Sequence, residues 1–224
     1  YGPSNDVDNT LSVFEWGLGE STLIASFMGV SRYAGIDSNP QVIEDIRSRV
    51  ATQVNNLGNK KLKQENFRFY LGDIGIEPLA MNNDKNMGGT LPNNKGQQEQ
   101  QHNLPKNVLN YQLAPLLSET TPFDVYVVNG RYRFACAMAA FLHASARHTR
   151  SHNSNPTLEG ADVTPPSSPL ILFHDCDARE SHRLPSDLFD MQRPKRSNFC
   201  LYRRKPTTTN DQLVEIWKNH MEQY

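Results

Sequence analysis

The chain of 224 residues has no apolar run approaching the ~18 residues of a membrane-crossing helix, which excludes a helical span within it. It has almost no net charge. Its 23 Lys and Arg against 24 Asp and Glu leave −1, without the basic footprint of a nucleic-acid-binding domain. One basic stretch, "RPKRSNFCLYRRK" from Arg193 to Lys205, reads as a solvated turn and strand edge. Cysteine is scarce: Cys136, Cys176 and Cys200 are odd in number and lack C-x-x-C spacing. That argues against a disulfide framework or a zinc knuckle. Cys136 lies in an apolar helix-like run and is expected to be a small buried residue. No secretory signal is visible. The opening Tyr1-Gly-Pro-Ser reads as a cut end, which leaves a leader or anchor open. The default expectation is a soluble cytoplasmic domain; the compartment and the oligomeric state are not fixed by the sequence.

What is present is a regular alternation of strand-like and helix-like segments, at a length that suits one domain. Leu11–Trp16 reads as a short buried strand ended by glycine, and Ser21–Gly29 as a helix. Tyr33–Asp37 is a second strand. "NPQVIEDIRSRVATQV" is a helix with Asn39 as N-cap, Pro40 in its first turn, and Val42, Ile43, Ile46 and Val50 on one face. Further strands are expected at Phe67–Leu71, Asp124–Asn129, Leu170–Asp175, Leu188–Gln192 and Phe199–Arg203. Helices are expected at Val108–Ser118, Tyr132–Arg147 and Asp211–Glu222. Two polar segments, about 81–107 and 151–168, carry few large apolar residues and are expected to be flexible insertions. Strand and helix alternate five times, and the strands are continuous apolar runs, as in a parallel sheet covered on both faces.

In such a sheet, ligands bind beyond the carboxyl ends of the strands. The residues placed there are Glu15-x-Gly17-x-Gly19, Asp37, Asp73, Asn129-Gly130-Arg131 and His174-Asp175. Gly17 and Gly19 permit a tight turn and close backbone approach. Asp37, near 20 residues on at the end of the second strand, can accept hydrogen bonds from both hydroxyls of a ribose. Its alternative is an acid that stabilises a helix N-terminus. A dinucleotide fingerprint would need a third glycine, where Glu20, Ser21 and Thr22 stand instead. Glu20 and Glu15 would repel a pyrophosphate, and Glu15 suits a ligand with a cationic amino-acid part instead.

The order "FEWGLGES", "YAGIDSNP", "FRFYLGDIG", "FDVYVVNGRYRFACAM" and "LILFHD" resembles the class I S-adenosylmethionine-dependent methyltransferases over Val13 to about Arg204. "NGRYRFACAMAAFLH" followed by "ILFHDCDAR" also looks like a methyltransferase-like subgroup linked to sugar modification. The resemblance implies a Rossmann-like α/β fold: a mostly parallel seven-stranded sheet with helices on both faces. It implies S-adenosylmethionine as cofactor. Glu15, Gly17 and Gly19 would line its methionine part, Asp37 would bind the ribose, and Ser38 would flank the adenine. Asp73 and Ile74 would hold the adenine amino group. Asn129 departs from the aspartate that is frequent at this point, removing a charge near the sulfonium.

Transfer of a methyl group to a sugar or other alcohol hydroxyl calls for a base or a metal. His174 and Asp175 are the candidates for that base. Asp175 would alternatively orient the histidine, or join a metal site with Asp177; without an acid at 129, no metal is expected. Arg131 would bind the acceptor or pair with Asp175. Arg179 and His182 are further rim candidates, and Tyr111 and Gln112 either line an acceptor wall or pack as ordinary helix residues. The expected partner is a small-molecule or glycan acceptor, with O-methylation of a polyhydroxyl compound as the activity. Two rivals stand: a catalytically silent binding domain of the same fold, and an NAD-dependent oxidoreductase.

Overall fold

The computed structural model describes residues 11–57, 64–72, 74, 106–151, 169–176, 183–195 and 197–223. Asp73, Asp177, Arg179, His182, Tyr1-Gly-Pro-Ser and nearly all of the two polar insertions lie outside the described residues. The described residues hold seven strands: β1 (Ser12–Trp16), β2 (Arg32–Asp37), β3 (Phe67–Leu71), β4 (Val125–Val128), β5 (Leu170–His174), β6 (Phe189–Gln192) and β7 (Phe199–Arg204). They form one sheet in the order β3-β2-β1-β4-β5-β7-β6. The helices are α1 (Glu20–Met28), α2 (Pro40–Leu57), α3 (Lys106–Gln112), α4 (Ala114–Ser118), α5 (Arg133–Ser151) and α6 (Asn210–His220).

The alternation of side chains along β1 divides the core. Phe14 and Trp16 face one layer, packed with α3, α5 and Leu213 of α6. Val13 faces the other, with Tyr33, Ala25 of α1, and Ile43, Ile46 and Val50 of α2. Asn39 caps α2 as expected, its side-chain oxygen accepting from the Gln41 N–H at 2.9 Å. In α5, the run Ala135–Ala140 is completely buried, as befits a helix packed against both the sheet and α6. Cys136 is buried and free, as its apolar surroundings suggested.

Four expectations need correction. The sheet is mixed: β5 pairs with β7, and β6 with β7, antiparallel. A short connection joins neighbours only as a hairpin, and the six residues between β6 and β7 are too few for a parallel crossover. The single helix expected at Val108–Ser118 is two, broken at Leu113; Pro115, in the first turn of α4, has no N–H to continue the ladder. Lys106 and Asn107, expected in the insertion, open α3. Finally, a disulfide joins Cys176 to Cys200, with Cα atoms 5.9 Å apart. The antiparallel register sets Phe173 opposite Cys200, and Asp175, at φ 54°, turns the chain so that Cys176 meets β7.

Candidate functional site

The carboxyl ends of β1, β2 and β4 meet around one turn. Gly17 leaves β1 at φ 81°, and its N–H donates to the Ile36 carbonyl at 2.9 Å. A Cβ there would stand 2.8 Å from Gly130 Cα and 2.9 Å from the carbonyl carbon of Asn129. Gly17 is therefore required twice, for its left-handed backbone and for the close approach of β4. A Cβ on Gly130 would in turn collide with the Tyr111 hydroxyl. Beside Gly19 the space is open: a Cβ would meet nothing within 4 Å.

Asp37 ties this turn to the end of β2. Its Oδ2 accepts from the Leu18 N–H at 2.9 Å, and its Oδ1 from the Asn39 N–H at 2.8 Å. Its own carbonyl accepts from the Gly72 N–H at 2.8 Å, linking β3. The side chain remains partly exposed, and each oxygen keeps a second lone pair for a ligand hydroxyl. Ser38 beside it is partly exposed, and Ile74 is buried in the core layer that holds Trp16.

Glu15 is not at the crevice wall, where the sequence reading put it. It has no exposed surface. It sits on the α1–α2 face of β1, opposite Gly35 in register. Its Oε1 accepts from the Ser21 hydroxyl, and its Oε2 from the hydroxyls of Tyr33 and of Thr22, the latter at 2.8 Å. Burial pushes its pKa from 4.5 up to about 7; the three hydroxyls pull it down, and Asp37 adds a smaller push upward. The carboxylate braces the turn and the start of α1 from below. The alternation of β1 carried this signal: Glu15 shares the face of Val13, which lies opposite Tyr33.

At the end of β4, the Asn129 N–H donates to the Trp16 carbonyl at 2.9 Å. Tyr111 is buried between the strand ends, its backbone carbonyl accepting from the Trp16 indole N–H at 2.9 Å. Gln112 is fully buried and donates to the Met221 carbonyl at 2.5 Å, so it packs α3 on the end of α6 rather than lining an open wall.

His174 and Asp175 emerge together from β5. His174 Nδ1 lies 3.2 Å from Asp175 Oδ2, without the geometry of a hydrogen bond, and the ring sits 4.8 Å from that of Phe199. The Asp175 N–H donates to the Asn198 carbonyl at 2.8 Å. The arginine that reaches this pair is Arg133, two residues beyond the Arg131 singled out from the sequence. Its Nη1 lies 3.7 Å from Asp175 Oδ2 and donates to the His174 carbonyl at 2.9 Å. Arg131 is partly exposed, and its carbonyl accepts from the Cys136 thiol. "GRYR" offers two arginines, and only the start of α5 at Arg133 decides which one spans the gap.

Among the described residues no three His, Cys, Asp or Glu gather as a metal site, and no helix is long and apolar enough to cross a membrane. No model of a known protein family matches the chain, and no curated protein matches it in sequence. Solved structures do. A methyltransferase-like protein from Silicibacter pomeroyi is 15% identical, with a TM-score of 0.51 over 92% of this chain and 87% of its own. A looser likeness, at a TM-score of 0.36 and 11% identity, covers 88% of this chain and 82% of a TehB-like SAM-dependent methyltransferase from Corynebacterium glutamicum. With its strand order β3-β2-β1-β4-β5-β7-β6, the chain shares the Rossmann-like α/β fold of that methyltransferase-like protein.

Proposed function

We propose that the protein is an S-adenosylmethionine-dependent methyltransferase that O-methylates a small polyhydroxyl or sugar acceptor. The observation that carries this reading is Asp37: a partly exposed carboxylate at the end of β2, fixed by the Leu18 N–H to a glycine turn with open space beside Gly19. This donor set fits the cofactor. Asp37 would take the ribose hydroxyls, and the backbone of Gly17–Gly19 would pass along the methionine part. Ser38 would flank the adenine, and Asp73 with Ile74 would hold its amino group. Glu15 contributes from beneath by holding Ser21, Thr22 and Tyr33 in place. When bound, the cofactor supplies a methyl group on a positively charged sulfur.

The chain's own task is to hold the acceptor in line and to receive its proton. His174 is the proposed base. Asp175 Oδ2 stands 3.2 Å from its Nδ1 and would stabilise the imidazolium that forms when the proton is received. Asn129 supplies no charge at the end of β4, so neither a metal nor a second carboxylate is invoked there. The one domain expected from the sequence, with its two insertions, is part of this proposal.

Calorimetry with S-adenosylmethionine, S-adenosylhomocysteine and NAD tests the cofactor, and methyl transfer to a panel of sugars and polyols tests the reaction. Binding of both sulfur nucleosides but not NAD is expected, with a methylated product identified by mass. Binding without any transfer would favour a silent binding domain, which the missing acid at Asn129 makes the second reading. Binding of NAD alone would overturn the proposal.

A further inference from the structure

We propose that Arg133 is a positioning residue, which fixes the His174–Asp175 pair relative to the cofactor turn; this rests on the reading of the site given above. The contacts form an unbroken chain from one half of the site to the other. Gly17 packs so closely on Gly130 that a Cβ would stand 2.8 Å away. The Gly130 carbonyl accepts from Arg133 Nε at 3.0 Å. The same guanidinium donates through Nη1 to the His174 carbonyl at 2.9 Å and stands 3.7 Å from Asp175 Oδ2. One planar group thus binds the end of β4 with one nitrogen and the end of β5 with another, a geometry that the point charge of a lysine does not reproduce.

A second observation concerns the backbone. Among the described residues, the non-glycine residues with positive φ are Tyr132, at 52°, and Asp175, at 54°. One immediately precedes Arg133 and the other is its ion-pair partner. Left-handed backbone at a bulky residue such as Tyr132 persists only where its surroundings enforce it, and such outliers gather at functional sites. The far side of the pair is held as well, by the Asp175 N–H on the Asn198 carbonyl and by the Cys176–Cys200 disulfide. Asp175 is thereby braced from β7 on one side and by Arg133 on the other. The β7 contacts hold the β5 end from its far side, and Arg133 links it to Gly130 and the turn.

The test compares wild type, Arg133→Ala and Arg133→Lys, with the disulfide intact. Three quantities are read: S-adenosylhomocysteine affinity by calorimetry, the backbone amide resonances of His174, Asp175 and Cys176, and methyl transfer to the best acceptor. In Arg133→Ala the cofactor affinity should change less than about threefold, while those three resonances move and kcat falls about 30-fold or more with little change in KM. Added guanidinium should return the resonances and part of kcat; Arg133→Lys should remain nearly as slow as Arg133→Ala. Unmoved resonances would overturn the proposal, and so would a cofactor affinity that falls in step with kcat. If wild type transfers no methyl group, the catalytic reading fails, and the resonances with and without guanidinium still decide whether Arg133 positions the pair.

Discussion

Replacing Glu15 with Gln should abolish a pH dependence of folding that the buried carboxyl creates. Its pKa is raised from 4.5 to about 7, chiefly because burial removes the water that would solvate the charge. A group whose pKa is higher in the folded state stabilises that state fully below its unfolded pKa, and the contribution is lost as pH rises through the folded value. Here the window runs from about pH 4.5 to about pH 7. At 1.36 kcal/mol per pH unit, the loss from this one group is on the order of 3 kcal/mol. A Gln has the shape of the protonated acid and can exchange hydrogen bonds with Ser21, Thr22 and Tyr33 without the charge. Urea unfolding of both proteins at pH 5, 6, 7 and 8 checks this. The two should be close in stability at pH 5, and Glu15→Gln should gain on the parent by up to about 3 kcal/mol at pH 8. Parallel pH profiles would refute the reasoning, because they would mean that Glu15 reaches water or is paired more strongly than its three hydroxyls allow.

Gly17→Ala should lower stability by about 2 kcal/mol or more, from a left-handed backbone and a methyl group pressed on Gly130, and thermal melting measures it. The same variant should lose cofactor binding, because the turn cannot close on β4. Thiol titration of the denatured protein without reductant should detect one cysteine, Cys136, and all three after reduction. Cys200→Ser should cost about 3 kcal/mol, the loop-closure entropy expected for cysteines 24 residues apart, measured by urea unfolding. Three thiols in freshly purified oxidised protein would remove the disulfide from the account.

Much of the fold was legible because its elements announce themselves locally. The apolar runs of β1, β2, β4 and β5, and the Asn39-Pro40 start of α2, need no knowledge of distant contacts. The antiparallel edge was not legible in this way. Whether Phe199–Arg204 inserts beside β5 is decided by pairing across the sheet, and the disulfide follows from that pairing and not from cysteine spacing. Asp37 could be found at its strand end, since its position depends only on the length of β2. Glu15 is legible as an acid at the end of β1, but its neighbours follow from the strand alternation that turns its side chain onto Tyr33. The choice between Arg131 and Arg133 is not legible, because the phase of α5 at its first residue is set by the left-handed Tyr132 before it.

The central claim is that Asp37 holds the ribose, and the Gly17–Gly19 turn the methionine part, of a sulfonium cofactor. The most direct measurement is calorimetric titration of S-adenosylhomocysteine into wild type and Asp37→Ala. Saturable one-site binding by wild type is predicted, weakened in the variant by roughly 1–3 kcal/mol for lost hydrogen bonds to a charged group. No heat in wild type, or equal affinity in the two proteins, would contradict it.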